Sequence, residues 1–233
     1  MTFSIAARCP RTGMLGVATA SASLACGAFA PSVKTATGAI ASQAFGNPFF
    51  GIDGLRLLDQ GLSAQKVVAE LLPSDPGREY RQLLIVDGRG GIAAFTGSKC
   101  LRWAGHQAGE EFVAGGNTLA GEHVVLAMTD AFAQSTDQEL PERLVRSLEA
   151  GDAAGGDRRG RQSAALLVSY DQDYRYYDMR VDDHADPVKE LRRLFELRKA
   201  GRAKHGDWRP TREAPLEPNF IERYEREAAA VDQ

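Results

Sequence analysis

Thr2 follows the initiator Met1 directly. Removal of Met1 would leave a hydroxyl and a free α-amine on one residue. An α-amine titrates near pH 8, so it can take up a proton close to neutrality. A threonine activated by its own amine is a known nucleophile arrangement, suited to acyl transfer. The same dipeptide also suits an ordinary first strand. Gly46-Asn47-Pro48 is a second candidate. Asn47 as N-cap with Pro48 in the first turn starts a helix, whose exposed N–H groups and dipole favour a developing negative charge. A third is Asp157-Arg158-Arg159-Gly160-Arg161, where arginines among glycines can fork a carboxylate or phosphate. Asp157 could alternatively pair with an arginine and fix the loop, and the whole run could be a solvated turn. Gln43 and Asn117 are polar residues beside expected turns and candidates for a pocket wall.

Other residues carry less. His184, beside Asp182 and Asp183, fits a helix entry; one histidine makes no metal site, and none is expected. Ser163 lacks a nucleophile-elbow context. Cys9, Cys26 and Cys100 are too widely spaced for a metal pair or disulfide framework and read as buried thiols of a cytoplasmic protein. The 233 residues carry a net charge of -3, which gives no electrostatic case for nucleic acid or a membrane surface. No apolar run spans a bilayer and no signal peptide is evident. No Walker-type glycines and lysine accompany the arginines, and no cofactor is expected.

The elements that must position these residues follow from periodicity. Thr2–Arg8 alternates, with Phe3, Ile5 and Ala7 on one face and Thr2, Ser4 and Ala6 on the other. It turns at residues 10–13 into a second strand over 15–20. Residues 33–43 read as one strand, 51–58 and 63–72 as helices, and 82–86 with 92–96 as a hairpin. Weaker strands are expected over 101–106 and 111–114, with Gly115-Gly116-Asn117 as a turn. Helices over 121–133 and 141–150, a doubly buried strand over 163–169, its partner over 174–181, and a helix over 187–199 complete the chain. Residues 1–201 are expected to form the domain, and 202–233 a tail that wraps the surface or docks on a neighbour. Hairpin groups separated by helix pairs point to an α+β protein, a four-layer αββα sandwich with mainly antiparallel sheets.

Several motifs resemble one family: Thr2-Phe3-Ser4-Ile5, Ala41-Ser42-Gln43-Ala44 leading to Asn47-Pro48, Ala94-Phe95-Thr96-Gly97, Gly116-Asn117-x-Leu119-Ala120-Gly121, residues 155–164, and Asp182-Asp183-His184 before Asp186-Pro187. Over roughly residues 2–200 the chain resembles the bacterial domain-of-unknown-function 1028 family, placed with the N-terminal nucleophile hydrolases. That resemblance implies the αββα fold. The layout is also similar to a proteasome β-subunit, which implies Thr2 as nucleophile, Lys34 as its lysine and Gly46 as the oxyanion glycine. Ser21 falls near that family's aspartate, so the lysine's partner differs here. The expectation is an amidohydrolase acting on a small anionic amide through Thr2. Gln43, Asn47, Asn117, Asp157, Arg158 and Arg161 would contact the small-molecule substrate, and the protein would be a homo-oligomer. The rival expectation is a non-catalytic binding or assembly protein on the same scaffold.

Overall fold

Strand β1 (Thr2–Arg8) lies at the centre of the larger sheet because its residues are small or apolar on both faces. It pairs antiparallel with β2 (Leu15–Ser21), setting Thr2 opposite Ser21, and with β8 (Phe112–Asn117) on its other side. The β1–β2 turn closes at Gly13, whose φ of 73° favours glycine. β9 (Ser163–Ser169), buried at every residue, extends the sheet beyond β2, and β10 (Arg175–Val181) and β7 (Ala104–Gly109) form its edges. The smaller sheet comprises β3 (Pro31–Lys34), β4 (Gly38–Ala44), β5 (Arg81–Asp87) and β6 (Ile92–Thr96), all antiparallel.

The computed structural model describes residues 2–206 and 208–231, and its layers are αββα. Helices α1 (Pro48–Asp59) and α2 (Ala64–Leu71) cover the smaller sheet, where Phe50, Leu58 and Val67 meet Ile40, Leu83 and Ile85. Asn47 caps α1 by accepting from the Phe49 N–H at 3.1 Å, and Ser63 caps α2 by accepting from that of Lys66. Helices α3 (Glu122–Gln134) and α4 (Leu140–Ala153), with the start of α5 (Pro187–His205), cover the larger sheet. The alternation of β1 holds: Phe3, Ile5 and Ala7 pack towards this helix layer, while Ala6 faces the other sheet.

Three expectations are corrected. Residues 33–43 are a hairpin, because the chain reverses at Ala36 with φ 56° and Gly38 pairs back with Lys34. Gly115-Gly116-Asn117 is the end of β8; the left-handed residue is Thr118, at φ 57°. The weak strands lie later than expected, at 104–109 and 112–117.

One compact unit ends at Phe195 and a second begins at Glu196. The second contains the end of α5 and α6 (Phe220–Val231), a helix where the sequence had suggested only a tail. Its alanines, glutamates and arginines are good helix formers. Within it Phe220 stacks on Tyr224, and Arg223 pairs with Glu217 at 2.6 Å. No described helix is long and apolar enough to cross a membrane.

Candidate functional site

The layer between the sheets changes character along β1. Around Ala6 it is apolar, formed by Val17, Val33, Ala41, Leu84 and Val113. Around Thr2 it is polar, formed by Ser4, Thr19, Ser21, Gln43, Gln82 and Asn117, all buried. Buried polar groups are stable only when their hydrogen bonds are made, so this end is a network. Gln82 of β5 reaches across to the larger sheet. Its two amide hydrogens are shared among the Gly105 and Gly116 carbonyls and Thr96 Oγ1, each at 2.9 Å, and its Oε1 accepts from Gln43 at 2.8 Å and Asn117 at 3.0 Å. Gln43 of β4 also accepts from Ser4 Oγ at 2.5 Å and donates to the Thr2 carbonyl at 3.4 Å. Asn117 donates to the same carbonyl at 3.4 Å. Thr2 is thus held from both sheets, with its Oγ1 donating to Ser21 Oγ at 3.3 Å. Asn117 Oδ1 is buried with no hydrogen-bond partner among the described residues.

Asn117 forms part of the wall of a cavity of about 410 Å³, together with Ala44, Phe45, Tyr80, Lys99, Leu101 and Arg159. A hollow of about 350 Å³ shares Phe45 and Tyr80 and adds Arg81. Phe45, Tyr80 and Leu101 give the cavity an exposed apolar rim. Lys99 Nζ lies 5.0 Å from the centre of the Tyr80 ring, and Arg81 lies over Phe45. Ala44 of the wall (φ 70°) and Thr118, the residue after Asn117 (φ 57°), are left-handed, a conformation that costs energy and recurs at functional sites. Cys100, also on the wall, has its pKa raised by burial and remains a thiol.

The expected site residues separate into groups. Thr2, Gln43 and Asn117 come together as described. Gly46 follows Phe45 of the cavity wall and precedes the N-cap of α1, and its N–H has no partner among the described residues. Asn47 is committed to the fold: its Oδ1 caps α1, and its Nδ2 donates to Asp75 at 3.2 Å. Asp75 in turn accepts from Arg81 Nε at 2.9 Å, and this bond, outweighing burial, holds its carboxyl below the usual range. Lys34 is not near Thr2. It pairs with Asp59 at 2.7 Å at the hairpin end of β3–β4, opposite Gly38, whereas Gln43 meets Thr2 at the other end. Five residues of strand separate those ends by roughly 17 Å.

The arginine loop is zipped to the segment after β8. Arg158 N–H donates to the Thr118 carbonyl, Ala120 N–H donates to the Gly156 carbonyl, and Leu119 bridges Asp157. Gly155, Gly156 and Gly160, at positive φ, permit the path. Asp157 is buried and accepts from Ala22 N–H, Arg159 N–H and the Arg159 guanidinium at 2.8 Å. Arg158 is exposed and Arg161 pairs with Asp152 at 2.6 Å; neither lines the cavity. Arg159 does, and the sequence reading missed it. Asp157 accepting from the N–H two residues on is an Asx turn, which folds the Arg159 side chain back over the carboxylate. That spacing was the available signal. Lys99 had none, because the β6–β7 connection that carries it has no motif. His184 Nδ1 accepts from Asp186 N–H at 2.9 Å, just before α5.

The family model described as "Family of unknown function (DUF1028)" matches residues 2–191. The chain belongs to that family. A crystal structure of a DUF1028 protein from Silicibacter pomeroyi is similar at a TM-score of 0.84 and 34% identity, covering 93% of this chain and 94% of that one. Anbu, an ancestral β-subunit from Yersinia bercovieri, aligns at a TM-score of 0.41 and 13% identity, over 89% of this chain and 99% of Anbu. No curated protein matches the chain significantly.

Proposed function

We propose that the protein is an N-terminal nucleophile amidohydrolase acting on a small anionic amide. The observation that carries this reading is the clamping of Thr2, from both sheets, against Asn117, a wall of a cavity that also presents Lys99 and Arg159. Once Met1, which lies outside the described residues, is removed, the Thr2 amine takes the proton from the Thr2 hydroxyl as Oγ1 attacks the amide carbonyl. The Gly46 N–H stabilises the oxyanion, as a pre-set donor beside a helix N-terminus. The proton passes to the leaving amine as the C–N bond breaks. Water then attacks the acyl-Thr2 ester, releases the acid and regenerates the hydroxyl. Lys99 and Arg159 hold the substrate's carboxylate, and Phe45 and Tyr80 cover its apolar part. Lys34 has no part in this scheme.

A second reading, a binding or assembly protein on the same scaffold, is favoured by one observation. Thr2 is only 3% exposed and hydrogen-bonded to Ser21, so its hydroxyl does not itself line the cavity. Intact mass of the protein from its natural host, followed by hydrolysis assays on N-acyl amino acids with wild type and Thr2→Ala, separates the two. Catalysis requires loss of Met1, turnover, and its abolition in Thr2→Ala with the ester trappable on Thr2. An intact Met1, or ligand binding without turnover that is identical in Thr2→Ala, establishes the binding reading.

A further inference from the structure

A second cavity lies at the other end of β1. It has a volume of about 610 Å³ and is lined by Arg8, Cys9, Arg11, Glu110, Phe112 and Arg143, among others. From Thr2 to Arg8 the strand runs roughly 20 Å, so this cavity is distinct from the one at Thr2. Its charge is unbalanced. Arg8 is paired with Glu111 at 2.6 Å, and Glu110 adds a second carboxylate. Arg11 and Arg143 form no ion pair among the described residues. Arg11 donates to the Thr136 and Gln138 carbonyls. Arg143 is only 8% exposed, yet among the described residues just one of its five guanidinium N–H groups has an acceptor, the Phe132 carbonyl at 3.1 Å. Its Nε is buried without a partner, and its guanidinium lies 3.9 Å from the centre of the Phe132 ring.

The carbonyls at the end of α3 offset part of this charge through the helix dipole. That dipole amounts to about half an elementary charge, and with the Glu110 carboxylate it still falls short of the two guanidinium groups. Burying an unpaired cation is costly, and an anion in the cavity that Arg143 and Arg11 line would offset that cost. Burial pushes the Cys9 thiol up, but hydrogen bonding to Thr12 and Arg11 outweighs it and leaves the pKa below the ordinary thiol value, consistent with a site that favours negative charge.

We propose that this cavity binds a small oxyanion, a carboxylate or phosphate on a compact apolar body, held by Arg143 and Arg11 with Phe112 and Cys9 forming its walls. Arg143 supplies a planar fork already fixed by stacking, which matches two oxygens of one anion.

The test uses the full chain. Inorganic phosphate and benzoate are titrated separately by calorimetry and thermal shift at constant ionic strength, with chloride as control. Wild type, Arg11→Gln, Arg143→Met and, for the Thr2 cavity, Arg159→Gln are compared. At least one oxyanion should bind saturably, and the phosphate and benzoate arms identify which. Arg11→Gln and Arg143→Met should each weaken binding about ten-fold or more, as expected for loss of a charged hydrogen bond, with Arg159→Gln unchanged. Should Arg143→Met fail to fold, Arg11→Gln decides. Neither anion binding saturably, undiminished binding by Arg11→Gln, or loss of binding in Arg159→Gln overturns the proposal.

Discussion

The arginine loop shows how neighbouring residues of one type acquire different roles. Asp157 is buried at the start of an Asx turn and holds Arg159 over itself at 2.8 Å, so that only this arginine of the three reaches the cavity. Arg158 faces solvent and Arg161 belongs to Asp152. Substituting Arg159 with Gln is expected to weaken binding of an N-acyl amino acid by about ten-fold, the effect of losing one charged hydrogen bond. Arg158→Gln and Lys34→Ala should bind as wild type. Calorimetry on the three variants checks this, and an equal loss in Arg158→Gln would remove the assignment.

At the level of elements, the two sheets are joined at the Thr2 end by amides and not by apolar packing. Gln82 on β5 alone links β4, β6, β7 and β8. Gln82→Leu fills the space but leaves the Gly105 and Gly116 carbonyls without these donors. It should lower unfolding free energy by ~3 kcal/mol, since each buried unsatisfied group costs about 1–3 kcal/mol, and urea denaturation measures it. The strap between α2 and β5 is held differently. Asp75 accepts from Arg81, Gly77 N–H and Asn47, and its folded-state pKa lies below the unfolded value. Its stabilisation is therefore fully present above about pH 4, the ordinary aspartate range, and is lost as pH falls through the depressed folded value. Asp75→Asn should be less stable than wild type by ~2 kcal/mol at pH 7, with the gap closing in acid. A gap independent of pH down to strong acid would show that the charge is not what matters there.

For the whole chain, the unit ending at Phe195 carries all three hydrophobic clusters, and the polar end of its inter-sheet layer carries the candidate site. Between α5 and α6 the described residues form no regular structure and are largely exposed, with Arg212 as a tryptic position; Arg209 precedes Pro210 and resists trypsin. Exposed polar connections are preferred sites of nicking. Limited trypsinolysis is expected to cut there first and leave a fragment that retains residues 2–195 and melts as the intact chain does. Mass spectrometry of the first fragments and a melting curve test this; a first cut inside residues 2–195 would contradict it.

The chain's local patterns were enough to determine its class and most of its elements. Alternation in Thr2–Arg8, the Asn47-Pro48 and Ser63 caps, and the Asp87–Gly91 turn are local signals, each read from a few neighbouring residues. The sequence also placed Thr2, Gln43 and Asn117 among the candidates, Thr2 because it follows Met1, and Gln43 and Asn117 because they are polar residues beside expected turns. Only the tertiary structure decided which of them meet. Thr2 and Asn117 are 115 positions apart and become neighbours because β8 pairs with β1. Lys34 and Gln43 lie in one short stretch of sequence, yet the hairpin at Ala36 sends Lys34 to the far end of the sheet. Arg159 and Lys99 converge on one cavity from separate loops. Local pattern fixes the period and face of a strand, whereas site membership depends on long-range pairing and register, which no local window contains.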